Sequence, residues 1–288
     1  MSAGSEVKEV KEVKEKSGEV GAFFDLDGTM VARPSLERRF FKMLRYRGSI
    51  PVRNYFLWLW EAVQLAPRGI GAILRANKMY LKGLATDRME TGELRCPSVL
   101  FGEGINRIAW HARQGHAIVL VSGTLQPLAE EVARSLEALL FEERISCVIR
   151  VCATRLEEAE GRWTGRIVGE AMNGEAKAQA LKAIALELKL DLAGCYAYGD
   201  SADDQWMLAA VGRPVAVNPR EELAWLARMR GWPMLHWGRK EVLTQRRGEH
   251  REDGEKMGAA FPLQEIEKVQ AKAGARDERY GETKLSRE

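Results

Sequence analysis

The residues able to do chemistry lie in four short stretches of this 288-residue chain. In the first, Asp-Leu-Asp-Gly-Thr at 25–29, two carboxylates close an apolar run, Ala22-Phe23-Phe24. Residues i and i+2 of an extended segment point the same way, so Asp25 and Asp27 can share a cavity while Leu26 faces the core. Two like charges at a buried strand end repel, and either a divalent cation or a proton held by one acid relieves the repulsion. A second acidic group, Asp200, Asp203 and Asp204, sits in Tyr-Gly-Asp-Ser-Ala-Asp-Asp at 198–204. Hard oxygen ligands of this kind suit Mg²⁺, and neither stretch has the glycine spacing of a calcium loop. Ser122, Gly123 and Thr124 end the run Ala-Ile-Val-Leu-Val, where hydroxyls and backbone N–H groups can hold an anion. Lys177 opens a helical pattern, a cation placed against the helix dipole, with Glu175 near enough to pair with it.

Other chemistries are disfavoured. No GxxxxGK[ST] and no GxGxxG follows a strand, and Leu-Val-Ser-Gly-Thr is not the GxSxG of a serine hydrolase. Cys96, Cys147, Cys152 and Cys195 form no CxxC pair and read as reduced, packed thiols. No apolar run approaches the roughly 20 residues of a membrane-spanning helix, and the first residues lack the apolar core of a secretory signal, so a cytoplasmic protein is expected.

These groups need a scaffold. Strand patterns at 20–25, 117–123, 146–154, 195–200 and 214–219 alternate with helical patterns at 129–140, 176–189 and 221–230, which predicts an α/β fold with a mainly parallel sheet flanked by helices. Residues 153–169 read as a β-hairpin turning at Glu160 and Gly161. Residues 34–96 carry helical patterns without a buried strand and read as a cap over the carboxyl edge of the sheet. The expected division is a charged tail at 1–18, a core at 19–33 and 97–240, the cap at 34–96, and a polar tail at 241–288 with a short helix near Leu-Gln-Glu-Ile-Glu-Lys. Residues 33–82 hold eleven Lys or Arg against Glu37 and Glu61, a balance of +9 in a chain whose total is +3. Such a segment suits an anionic ligand or surface. Trp58 and Trp60 within it read as packed helical core, with a phospholipid phosphate at a membrane surface as the alternative.

In this order the motifs closely resemble those of the haloacid dehalogenase superfamily, subfamily IB, the phosphoserine-phosphatase-like hydrolases. The resemblance spans about residues 20–235 and rests on Asp25–Thr29, Ser122, Lys177 and Asp200–Asp204, with the hairpin and cap in matching places. It implies a Rossmann-like core and a Mg²⁺-dependent phosphomonoesterase acting on a small phosphorylated metabolite. Asp25 would be the nucleophile, forming an aspartyl-phosphate, and Asp27 the general acid and base. Asp25, Asp27 through its backbone carbonyl, and Asp200 would hold the metal. Ser122, Gly123 and Lys177 would bind phosphate, and Asp204, with Asp203, would stand behind them. Pro34 occupies the position where phosphoserine phosphatases carry an acid that meets the substrate amine; Glu37 follows three residues later. Arg33, Arg38, Arg39 and Arg53 could meet a second anionic group instead. Transfer of the phosphoryl group to an alcohol is an alternative outcome. No nucleic-acid partner is expected, peripheral membrane contact is compatible with the cap, and oligomeric state is left open.

Overall fold

The computed structural model describes residues 19–86 and 99–238. Their centre is β1 (Gly21–Phe24), four residues with no side chain in water. Around it stand β2 (Ala117–Leu125), β3 (Ile149–Thr154), β6 (Tyr196–Gly199), β7 (Arg213–Val217) and β8 (Met234–Leu235) in the order β3-β2-β1-β6-β7-β8, every pairing parallel. Because neighbouring side chains of a strand face opposite layers, β1 serves two cores. Ala22 and Phe24 join one core with Leu120, Leu128, Val132 and Leu136, while Phe23 joins Val119, Leu181 and Leu223 in the other. The first core is covered by α4 (Gly102–Arg113) and α5 (Gln126–Glu142), the second by α6 (Glu175–Glu187), α7 (Gln205–Ala209) and α8 (Glu221–Arg230). The chain leaves β1 for β2 and β3 on one side and returns to β6 on the other. The carboxyl ends of β1 and β6 therefore flank the crevice where open α/β sheets bind ligands.

The expected strands, and the expected helices at 129–140, 176–189 and 221–230, are present. Gly102 and Gly104 lower the helix propensity of α4, and β8 is two residues long, so neither stands out in the sequence pattern. The hairpin pairs β4 (Leu156–Ala159) with β5 (Arg162–Ile167), and its turn residues Glu160 and Gly161 both have positive φ, at 52° and 69°. It is tied to the cap, since Gly83 N–H donates to Trp163 O (2.7 Å) and Trp163 N–H to Leu84 O (2.9 Å).

Between β1 and β2 the cap contributes α1 (Leu36–Tyr46), α2 (Val52–Leu65) and α3 (Ile70–Ala76). The expectation that its tryptophans are packed core is corrected here: Trp60 is 65% exposed and Trp58 37%. The inner face of α2 is held by polar bonds, with buried Asn54 donating to Tyr80 O (3.2 Å) and Lys82 O (2.7 Å), and this turns Trp60 outward. No helix of the described residues is long and apolar enough to cross a membrane. Cys147, Cys152 and Cys195 are free thiols; Cys96, both expected tails and the short C-terminal helix lie outside the described residues.

Candidate active site

β1 delivers Asp25 to the crevice, and its N–H still pairs with Tyr198 O of β6 (2.9 Å). The chain then turns tightly, with the N–H groups of Met30 and Val31 both donating to Leu26 O. Gly28 has φ +103°, and a Cβ there would stand 2.1 Å from Asp200 Oδ2. Glycine is needed on both counts, since the conformation disfavours a side chain and the carboxylate leaves no room for one.

Lys177, in the first turn of α6, is buried and reaches Asp25 Oδ1 at 2.5 Å and Asp204 Oδ1 at 2.6 Å. Two carboxylates offset the unfavourable dipole. The other oxygen of Asp204 accepts from Ser201 N (2.9 Å), Ser201 Oγ (2.9 Å) and Asp200 N (3.1 Å). Asp204 thus fixes both the ammonium and the loop that carries Asp200. Asp200 Oδ2 accepts from Arg33 Nη2 (2.5 Å), with Arg220 Nε at 3.6 Å. Asp27 Oδ1 accepts from Leu36 N (2.8 Å), the first residue of α1, which ties the second carboxylate to the cap.

At the end of β2 the register with β3 shifts between Ser122 and Leu125. This irregularity aims successive small residues at the crevice. Ser122 Oγ accepts from Thr124 N (3.2 Å), and Gly123 O from Thr154 Oγ1 (2.8 Å). A Cβ on Gly123 would strike Asn173 Oδ1 at 2.4 Å. Thr124 Oγ1 is buried and has no hydrogen-bond partner among the described residues, which leaves it available to a ligand.

Asp25, Asp27, Ser122, Gly123, Lys177, Asp200 and Asp203 all line one cavity of about 220 Å³, and Asp204 stands behind Lys177. Glu37, Arg75 and Lys78 enter the same cavity from the cap. Arg75 Nη2 bonds both oxygens of Asp203 (3.0 and 2.9 Å), an ion pair joining cap to core. Glu37 accepts from Lys78 Nζ (2.6 and 2.8 Å) and Tyr80 OH (2.9 Å). The chemistry-bearing sequence stretches foreshadow the core residues, whereas Asn173, Arg75, Lys78 and Arg220 give no signal there beyond residue type.

The site can accommodate a cation. Asp25, Asp200 and Asp204 each offer an oxygen within 4.8 Å of the others, all buried. Because both oxygens of Asp204 are engaged, Asp25 and Asp200 are the better donors, and the Arg33 guanidinium already places positive charge on Asp200. The Asp27 side chain stands apart from this group. Burial raises Asp25 well above the ordinary carboxylate range, with Asp204 and Asp200 adding repulsion and Lys177 opposing them. Burial likewise raises Asp200, against Arg33. Asp27 is pushed up to about 6, mainly by burial and partly by Glu37, against the Leu36 N–H. Burial would lower Lys177, but Asp204 and Asp25 overcome it and hold the ammonium charged.

A model of the haloacid dehalogenase-like hydrolase family matches residues 22–209. The chain belongs to that family. This hydrolase is 33% identical over 237 residues, 78% of its length and 81% of the relative's, to the inhibition of morphological differentiation protein of Streptomyces azureus. It is 30% identical to phosphoserine phosphatase SerB1 of Mycobacterium tuberculosis, over 73% of its own length and 68% of the relative's. A crystal structure of a protein of unknown function from Bordetella pertussis Tohama I shares the fold, with a TM-score of 0.61, 24% identity, and coverage of 76% of this chain and 99% of that one. The resemblance drawn from the motifs therefore holds at the level of family and fold.

Proposed function

We propose that this hydrolase is a Mg²⁺-dependent phosphomonoesterase working through an aspartyl-phosphate on a small phosphorylated metabolite. The observation that carries the reading is the convergence of Asp25, Lys177, Ser122 and Asp200 on one small cavity. An Asp25 carboxylate oxygen attacks phosphorus as the bond to the leaving oxygen breaks, and Asp27 gives its proton to that oxygen. Water then attacks the phosphorus of the acyl phosphate, Asp27 takes its proton, and inorganic phosphate leaves as the Asp25 carboxylate is restored. Lys177, Ser122, the Gly123 backbone and the Thr124 hydroxyl hold phosphoryl oxygens, and Lys177 offsets the charge gathering beside Asp25. Asp25, the Asp27 carbonyl and Asp200 would hold Mg²⁺, which would supply the positive charge that lets an anionic ester approach these carboxylates.

The cap brings both signs of charge to the cavity: Arg75 is paired with Asp203, Lys78 with Glu37, and Glu37 also accepts from Tyr80, so a second substrate group of either charge would have to exchange with one of these ion pairs. Phosphate release from an aryl phosphate with Mg²⁺, with chelator, and with Asp25→Asn tests the reaction. Release that survives either change overturns the reading. A panel of phosphomonoesters that includes phosphoserine and dianionic sugar-acid phosphates tests the substrate class.

A further inference from the structure

Asp25 and Asp200, the two carboxylates best placed to hold a cation, each carry a positive partner, and the partners differ in freedom. Lys177 on Asp25 is 4% exposed along its side chain and is bonded to Asp204 as well, so it is locked in place. Arg33 on Asp200 is 52% exposed along its side chain and can leave toward solvent. Its Nη2 stands 2.5 Å from Asp200 Oδ2, closer than Arg220 Nε at 3.6 Å. That oxygen is the one nearer Gly28, since a Cβ there would lie 2.1 Å from Oδ2 and 3.1 Å from Oδ1. The guanidinium therefore engages Asp200 beside the Asp27–Gly28 peptide, whose carbonyl would be the third protein ligand of the ion.

The backbone that carries Arg33 is fixed. Ala32 N–H donates to Val99 O (2.8 Å), Arg39 Nη2 to Ala32 O (3.0 Å) and Arg39 Nε to Pro34 O (2.8 Å), and Ser35 just beyond caps α1. Only the side chain is left to give way. A divalent ion between Asp25 and Asp200 would repel this guanidinium and compete for the same oxygen, and it has the larger charge. We propose that Arg33 is an internal counter-ion that competes with Mg²⁺ for Asp200, swings out of the crevice when the ion binds, and so sets the affinity of the metal site. The inference rests on the reading of Asp200 as a metal ligand. An arginine that merely held Asp200 in position for the ion would act in the opposite direction, its loss weakening the metal.

Calorimetric titration of the full chain with Mg²⁺, without substrate, tests the proposal. Arg33→Gln should bind Mg²⁺ about tenfold or more tighter than wild type, because a like charge and a competitor are both removed. Asp200→Asn should bind about tenfold or more weakly than wild type, which assigns the signal to this site. In the wild type, the side-chain NMR signals of the Arg33 guanidinium, identified by their loss in Arg33→Gln or Arg33→Lys, should shift as Mg²⁺ saturates the protein. Equal or weaker binding by Arg33→Gln, or Arg33 signals that Mg²⁺ leaves unmoved, would overturn the proposal and leave the metal reading standing. No Mg²⁺ binding by the wild type, or undiminished binding by Asp200→Asn, would overturn both.

Discussion

Lys177 reaches Asp25 across 152 positions of sequence, Nζ to Oδ1 at 2.5 Å, and it does so from a helix end that electrostatics alone would leave to an acid. The contact is buried and depends on Asp204 on its other side. Lys177→Met would strand two carboxylates away from water. We expect a loss of roughly 3–5 kcal/mol in denaturant unfolding together with loss of measurable turnover. Asp204→Asn, which keeps the shape, should cost activity roughly 10–100-fold with a smaller loss of stability.

Asp27 is separable from Asp25 by leaving group. With Asp27→Asn, an aryl phosphate whose phenolate departs without a proton should still give a rapid burst of phenol, while steady turnover falls roughly 10²–10⁴-fold. An alkyl phosphate should give no burst. Quenched-flow measurement of both products decides this, and equal bursts would assign the acid elsewhere.

Gly28 is constrained by backbone and neighbour together, at φ +103° and with Asp200 Oδ2 2.1 Å from a would-be Cβ. Gly28→Ala should displace Asp200. The Mg²⁺ concentration for half-maximal activity should rise about tenfold or more, as when the support of a ligand is removed.

His111 offers a pH test outside the cavity. It is buried, with Nε2 2.9 Å from Tyr198 OH and Nδ1 2.8 Å from His116 Nδ1. Burial lowers it from 6.5 to about 2, with His116 and Arg107 adding to the effect. The folded state keeps the neutral ring, while the unfolded chain takes up a proton below about pH 6.5. Its contribution is complete above that pH and is lost as pH falls toward 2. The stability gap between wild type and His111→Gln should therefore narrow by roughly 1–2 kcal/mol between about pH 7 and pH 5 in denaturant titrations. A constant gap would show that the ring is already protonated in the fold.

The core of the site is legible in the sequence because its parts are local. The Asp25–Thr29 run, Ser122 and the Asp200–Asp204 run each follow a strand whose apolar pattern is plain, and chain polarity places every such strand end on the same edge of a parallel sheet. Asn173, Arg75 and Lys78 are not legible as cavity residues, since they come from segments whose positions depend on how the cap and the loop before α6 pack. Asp203 illustrates the difference: its sequence neighbours suggest a part in the acidic site, and its bidentate bond to Arg75 gives it a partner in the cap.

The order of elements, the family and the residue types available for phosphoryl chemistry follow from the chain read in one dimension, because alternation and motif spacing are properties of neighbours along it. What those residues do to one another follows only from packing: Lys177 between two acids, Asp27 held by the cap, and Trp60 facing water. Charge pairing, burial and the direction a helix presents depend on contacts between distant segments, and a helical stripe of apolar residues reads the same whether it faces a core or the solvent.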